Sequence, residues 1–153
     1  MIFKTLALSD LDVSSLNKII SLDSRFFPNP WSDSQWRTAA NHDYYQIFFD
    51  ESFDVYSLYQ IHALDHMAHL LKILVDPRVR TKGIGNKLLK SNLCTLSQLG
   101  VQRVILEVDT ENDAANALYN KNGFKKLHCK KKFYSNGHDA YVLEKHLLKL
   151  PNN

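Results

Sequence analysis

The sequence predicts a single α/β domain built on a mixed β-sheet with helices on both faces. An apolar run, Leu70–Val75, leads through a glycine-containing turn into a helical pattern and then into a second apolar run, Val104–Val108. Such a strand–helix–strand unit forms a parallel pair, whereas the flanking strands have the short connections of antiparallel neighbours. The chain has 153 residues, which suits one domain, and we assign residues 1–150 to it and 151–153 to a frayed tail.

The N-terminal part alternates strand and helix signals. Ile2–Leu6 is expected to be the first strand. Ser9 is expected to cap a helix, because apolar residues follow it at helical spacing, namely Leu11, Leu16, Ile19 and Ile20. An irregular aromatic loop comes next, and Ser32 and Gln35 then form a candidate capping box for a short helix.

The remaining elements follow from apolar alternation and from helix-ending glycines. Helices are expected at Gly83–Leu99 and Asp113–Asn122, because Gly100 and Gly123 directly follow them in the position that favours a left-handed backbone. Strands are expected at Tyr44–Phe49, Val55–Leu64, His69–Val75, Arg103–Val108, Lys125–Phe133 and Ala140–Lys145.

The composition and charge of the chain limit the kinds of function and partner that are expected of it. The formal net charge of +3 is too small to indicate a nucleic-acid partner, and no apolar run approaches the ~20 residues of a membrane span. The N-terminus lacks a signal-peptide pattern, so a cytoplasmic location is expected. Two cysteines without a Cys-x-x-Cys spacing predict free thiols, and the seven histidines have no zinc-ligand spacing, so no metal is expected.

The segment between the first apolar run and the following helix has the composition of an anion-binding turn. It comprises Arg80, Thr81, Lys82, Gly83, Ile84, Gly85 and Asn86. The first N–H groups of a helix lack intrahelical partners, and glycines let a phosphate approach them. A P-loop would end in Gly-Lys-Ser/Thr, but Gly85 is followed by Asn86-Lys87, and a dinucleotide fingerprint would need glycine where Leu88 stands. Glu107 mimics a ribose-binding acid, so the dinucleotide alternative is weakened but open, as is a turn without ligand.

The order of motifs resembles the GNAT N-acetyltransferase superfamily. Arg80, Gly83 and Gly85 match its Arg-x-x-Gly-x-Gly element, and a strand ending in an acid follows. Asn112 then opens a helix whose end reads Leu-Tyr-x-x-x-Gly-Phe. The resemblance covers about residues 70–124.

The resemblance implies a fold in which the central strands splay apart around acetyl-CoA. Its pantetheine arm would bond the edge formed by Ile73, Leu74 and Val75, and its phosphates would contact residues 80–86. Asn112 and Tyr119 would also contact acetyl-CoA; a helix N-cap is the alternative role of Asn112.

Within the superfamily, the chain is most similar to the ribosomal-protein-alanine N-acetyltransferases. Phe27–Asp33 resembles their early Phe-Pro-Trp-Ser-Glu segment with two residues inserted, and Leu106–Val108 matches their Leu-Glu-Val. Phe133-Tyr134 followed by Asp139-Ala140 matches a late motif. Two positions depart from that group, which usually has Arg at the position of Asp109 and Asn at that of Lys72.

The resemblance also assigns roles around the thioester. Glu107 would be the general base and Tyr119 the acid that protonates the departing sulfur. Phe27, Trp31, Asp109 and Tyr134 would flank the acceptor. Each role has a structural alternative: a polar strand end for Glu107, packing for Tyr119, and closure of the core for the aromatic residues.

These assignments imply an acetyl-CoA-dependent transferase acting on the N-terminal α-amine of a protein, for which a ribosomal protein is the first candidate. A lysine, a polyamine or another small amine is the alternative acceptor. A domain that binds acyl-CoA without turnover is the third interpretation. No membrane or nucleic-acid partner is expected, and the protein is expected to be a monomer or a weak homodimer.

Overall fold

The computed structural model describes residues 1–79 and 83–148 and shows a seven-stranded sheet with helices on both faces. The strands are β1 (Phe3–Ala7), β2 (Tyr45–Asp50), β3 (Val55–His62), β4 (Met67–Val75), β5 (Arg103–Asp109), β6 (Lys125–Lys130) and β7 (Ala140–His146). The helices are α1 (Val13–Phe26), α2 (Asp33–Ala39), α3 (Ile84–Gln98) and α4 (Asp113–Lys121).

The strand order is β1-β2-β3-β4-β5-β7-β6, and its centre is the parallel pair β4–β5. The other neighbouring strands are antiparallel, which confirms the predicted fold class. The parallel register covers Met67–Leu70 against Arg103–Leu106. Since β4 continues to Val75 and β5 to Asp109, the two strands part beyond this register, as the resemblance implies.

Each face of the sheet carries its own hydrophobic core. One core joins β4 and β5 to α3 and α4 and includes Leu70, Leu88, Leu106 and Tyr119. The other joins β2 and β3 to α1 and α2 and includes residues such as Ile19. Along β5 the buried positions alternate with half-buried ones, so Glu107 lies on the face opposite α3 and α4.

Several element ends differ from the sequence prediction. Ser9 does not cap α1; it lies in a short 3₁₀-helix, and Asp12 is the N-cap, where its side chain accepts from the backbone N–H of Ser15 at 2.8 Å. The third predicted strand ends at His62 rather than Leu64, because the chain turns there through a second 3₁₀-helix. The capping box of Ser32 and Gln35 is confirmed, with both reciprocal hydrogen bonds present.

Some predicted features lie outside the described residues. These are the three loop positions Arg80, Thr81 and Lys82 and the C-terminal tail 151–153. Within residues 1–79 and 83–148, no helix is long and apolar enough to cross a membrane.

Candidate active site

The start of α3 provides an open surface beside the diverging end of β4. Gly83 is its N-cap and has a left-handed backbone with φ of 89°. Among residues 1–79 and 83–148, a Cβ at Gly83 would meet nothing within 4 Å, and one at Gly85 would meet only the Leu118 Cδ2 atom at 3.9 Å. The protein therefore leaves room above the first turn of α3, where helix N–H groups favour an anion.

Side chains around this surface are fixed by packing and hydrogen bonding. The Asn86 Oδ1 atom accepts a 2.8 Å hydrogen bond from the Asn122 Nδ2 atom, which ties α3 to the end of α4. Ile73 and Val75 are partly buried against the core under α3, and Leu74 is buried on the other face. All three lie on the part of β4 beyond its register with β5. Contact of these residues with a pantetheine arm and its phosphates remains a prediction.

Glu107 lies where β4 and β5 part and has two charged or polar partners. Its Oε2 atom is 2.5 Å from the His69 Nε2 atom, and its Oε1 atom accepts from the Lys130 Nζ atom at 3.1 Å. Burial alone would raise the pKa of Glu107, but the hydrogen bonds and charges of His69 and Lys130 outweigh burial and lower that pKa. The carboxylate is therefore ionised at neutral pH.

Tyr119 is buried on α4, on the same side of the sheet as α3. Its ring packs edge-to-face on Phe124 with centroids 5.6 Å apart. Burial, and secondarily the proximity of Tyr134, raises the pKa of Tyr119 well above that of a free phenol. The hydroxyl therefore stays protonated at neutral pH. Asn112 caps this helix, since its Oδ1 atom accepts from the Ala115 N–H at 3.1 Å; its contact with acetyl-CoA remains a prediction.

A buried ion pair that sequence reasoning missed holds the aromatic loop, residues 27–31. The Asp23 carboxylate accepts from the Lys72 Nζ atom at 2.8 Å, and the Trp31 backbone N–H donates to the same carboxylate at 2.9 Å. The Lys72 ammonium also lies over the Phe27 ring, 4.1 Å from its centroid. Burial lowers the pKa of Lys72, while Asp23 acts in the opposite direction. One signal for this pair was present in the sequence, because Asp23 in α1 and Lys72 in β4 each stand among apolar residues.

The loop between β6 and β7, residues 131–139, lies against the end of β5. Burial, followed by the charges of Asp109 and Glu107, raises the pKa of Tyr134 to about 12. Across the site, the Ser135 Oγ atom donates to the Asn29 Oδ1 atom at 3.0 Å. The inserted residue Asn29 therefore joins the aromatic loop, which contacts Lys72 of β4, to the β6–β7 loop, which contacts Asp109 of β5.

Asp109 is held by the β6–β7 loop through a small charged cluster. Its Oδ2 atom lies 2.7 Å from the His138 Nδ1 atom, and the His138 Nε2 atom lies 2.6 Å from the Glu111 Oε2 atom. These three residues are close enough to be considered as metal ligands. The hydrogen bond that His138 donates to Asp109, however, raises the pKa of His138 and so favours the imidazolium, which cannot bind a metal. The cluster fits an ion-pair anchor better than a metal site.

Comparison with known proteins agrees with this geometry. The model of the Acetyltransferase (GNAT) family matches residues 16–124. The chain belongs to the GNAT family. This GNAT chain is an acyltransferase, and its matched region runs from α1 through the two glycine-ended helices to Phe124.

Two curated relatives of this GNAT protein are N-acetyltransferases. The ribosomal protein bS18-alanine N-acetyltransferase of Escherichia coli (strain K12) is 29% identical over 129 residues, covering 83% of this chain and 86% of that protein. An N-alpha-acetyltransferase of Saccharolobus solfataricus is 34% identical over 89 residues, covering 58% of this chain and 53% of that protein.

Solved structures show the same fold. The ribosomal-protein-S18-alanine N-acetyltransferase from Escherichia coli superposes with a TM-score of 0.80 and 24% identity, covering 99% of this chain and 98% of that one. Ard1 from Thermoplasma volcanium gives a TM-score of 0.80 with 18% identity, covering 97% and 99%.

Gly85→Val tests the proposed phosphate cradle of this GNAT protein. The added side chain has room within the protein, so the domain should fold, but it would occupy the space that the pyrophosphate needs. We expect a loss of at least about tenfold in acetyl-CoA affinity by calorimetry, equivalent to roughly 1.4 kcal/mol.

Lys90→Val is the matched control, because Lys90 is exposed on the same helix and the change introduces the same β-branched residue. It should bind acetyl-CoA like the wild type. An unchanged affinity in Gly85→Val would contradict the cradle.

Proposed function

We propose that this protein transfers the acetyl group of acetyl-CoA to the N-terminal α-amine of a protein. The observation that carries the proposal is the Glu107 carboxylate on β5, which lies beyond the parallel register with β4 and is held by His69 and Lys130. The charge of Glu107 contributes to the raised pKa of Tyr134, and Tyr134 contributes to that of Tyr119, which supports assigning the two tyrosines to the same site. The curated relatives named above support this choice of acceptor.

The reaction needs one base and one acid. An amine attacks only after losing its proton, and an α-amine has a pKa of about 7.7–8 against about 10.4 for lysine. In this proposal Glu107 is the base and takes the proton of the amine through a bridging water molecule. The new C–N bond forms as the C–S bond breaks, and Tyr119 gives its proton to the leaving sulfur. Backbone N–H groups near Val75 would hold the oxyanion.

The shape of the acceptor side favours a chain end over an internal side chain. The aromatic loop and the β6–β7 loop meet through Asn29 and Ser135, and we propose that together they bridge the gap between the strand ends. A flexible N-terminus can enter a bridged site end-on, whereas a folded surface around an internal lysine cannot approach as closely. Trp31 and Tyr134 are proposed to line the entry.

The acceptor can be identified by mass spectrometry of reactions with labelled acetyl-CoA. The panel would contain peptides with Ala, Ser and Met N-termini, the same peptides blocked at the N-terminus but carrying a lysine, and spermidine. We expect label on the free α-amines. Label only on lysine or spermidine would replace the proposed acceptor, and binding of acetyl-CoA without any product would favour a non-catalytic domain.

Trp31→Ala and Tyr134→Phe test whether the aromatic residues shape the acceptor groove. If they do, the KM for a peptide acceptor should rise severalfold while the KM for acetyl-CoA changes little. Phe133→Ala is a suitable control, since Phe133 is an exposed aromatic residue of the same loop. Equal effects on both substrates, or loss of folding, would make Trp31 and Tyr134 purely structural.

A ribosomal protein remains the first proposed acceptor, in line with the Escherichia coli relative. That substrate would place the enzyme in the cytoplasm. We also propose that it acts as a monomer or a weak homodimer, without a metal and without direct contact to nucleic acid.

A further inference from the structure

His69 and Glu107 form a close pair on the face of the sheet that carries the aromatic loop. In the parallel register His69 lies opposite Ile105, so Glu107, two residues further along β5, is its diagonal neighbour on the same face. Their side chains are only 26% and 16% exposed, and the His69 Nε2 and Glu107 Oε2 atoms are 2.5 Å apart. Such a distance requires a shared proton, since two lone pairs would repel at this separation.

The remaining atoms of the pair differ in their availability. The other oxygen of Glu107 accepts from the Lys130 Nζ atom, so both carboxylate oxygens are engaged. In contrast, among residues 1–79 and 83–148 the His69 Nδ1 atom has no hydrogen-bond partner. When Nε2 carries the proton that is given to Glu107, Nδ1 has a lone pair that points away from the carboxylate.

We propose that His69 is the group that accepts the proton of the acceptor amine, at Nδ1, while Glu107 orients the imidazole and stabilises the imidazolium. This inference rests on the proposed acetyl transfer. It replaces the water between the amine and Glu107 with the imidazole of His69. The lowered pKa of Glu107 supports it, because a weakly basic carboxylate is a poor direct acceptor from an amine. An imidazole ordinarily titrates at about 6.5, much closer to an α-amine.

The step balances without any further reactant. The amine N–H bond breaks, its proton bonds to Nδ1, and the nitrogen lone pair forms the C–N bond to the acetyl carbon. The proton on Nε2 stays shared with Glu107, so the product pair is imidazolium and carboxylate. The C–S bond breaks as Tyr119 gives its proton to the sulfur. After product release the imidazolium gives up its proton and the Tyr119 phenolate regains one through solvent, so both groups return to their starting states.

The groups around His69 determine the charge that its imidazole experiences. Gln60 is the neutral cross-strand neighbour on β3, and Glu107 on β5 carries the negative charge. Lys130 on β6 and Tyr134 in the β6–β7 loop reach the pair through Glu107. On β4 itself, the Lys72 charge is matched by Asp23 of α1. Glu107 is thus the charged group in direct contact with the imidazole.

The test compares His69→Gln with the wild type in kcat against pH, with both substrates saturating, on the peptide that the wild type acetylates best. We expect kcat to fall by roughly 10²–10³ and the acid limb of the wild-type profile to disappear. Acetyl-CoA affinity should stay unchanged. His128→Gln, an exposed histidine on β6, is the matched control and should keep the wild-type profile. A kcat within about threefold of the wild type, with the acid limb retained, would overturn the proposal.

A second measurement does not depend on turnover. In ¹⁵N spectra of the imidazoles, with His69→Gln identifying the signal, neutral His69 should carry its proton on Nε2 in the wild type. Glu107→Gln should produce a mixture of tautomers. A wild-type His69 with its proton on Nδ1 would overturn the proposal. If the wild type acetylates no amine at all, the proposed function fails, and these spectra alone decide whether Glu107 orients His69.

Discussion

Glu107→Gln is expected to lower kcat by roughly 10²–10⁴, the usual contribution of general-base catalysis, while acetyl-CoA affinity is largely kept. The amide preserves the shape of the side chain but removes its charge. The contacts to His69 at 2.5 Å and Lys130 at 3.1 Å both depend on that charge, so the proton-accepting site loses its electrostatic support. Steady-state kinetics with a peptide acceptor and calorimetry with acetyl-CoA measure the two effects separately.

Glu144→Gln is the appropriate control for this variant. Glu144 is also a partly buried glutamate with a cationic partner, because its Oε2 atom accepts from the Arg103 Nε atom at 2.6 Å. It has no proposed part in the chemistry. The control should therefore keep kcat near the wild-type value. A Glu107→Gln enzyme with wild-type rates across about pH 6–9 would place the base elsewhere.

Asp23→Ala is expected to reduce the free energy of unfolding by about 3–5 kcal/mol, since it leaves the buried Lys72 ammonium without its counter-charge. The side chains of Asp23 and Lys72 are 0% and 1% exposed. The same substitution also leaves the Trp31 backbone N–H and the Trp36 indole N–H without their acceptor. Urea unfolding followed by circular dichroism would measure the loss.

Two further variants locate the cause. Asp33→Ala removes an exposed aspartate that pairs with Arg37, and surface pairs contribute at most about 1 kcal/mol. Asp23→Ala combined with Lys72→Met removes both buried charges and should recover part of the lost stability. If the double variant lost as much stability as the Asp23→Ala and Lys72→Met variants lose together, the ion pair would not be the source of the loss.

The sequence predicted the elements whose signals are local. The strand before Gly83 and the helix after it follow from apolar periodicity and from a glycine whose φ of 89° suits no other residue well. The N-cap of α1 was misplaced because Ser9, Asp10 and Asp12 are all good capping residues. Asp12 has this role because residues 8–10, which begin with the fully buried Leu8, form a separate 3₁₀-helix before it.

The candidate site was predicted only in part, because its decisive contacts join distant strands. Glu107 and Tyr119 were proposed from motifs, but the pairing of Glu107 with His69 depends on the register of β4 against β5. The Asp23–Lys72 pair likewise joins residues 49 positions apart in the chain. No local periodicity carries such information, and the GNAT resemblance did not contain it either.

The hydrogen bond between Asn29 and Ser135 has a consequence for the order in which the protein assembles. It joins positions 106 residues apart, whereas β4, α3, β5 and α4 form one continuous segment, Met67–Lys121. During synthesis that segment can emerge and pair before β7 exists. The surface formed by the aromatic loop and the β6–β7 loop can be completed only after β7 has inserted between β5 and β6, because only then does the β6–β7 loop reach the aromatic loop. A growing chain would thus form the elements proposed to bind acetyl-CoA before those proposed to recognise an acceptor.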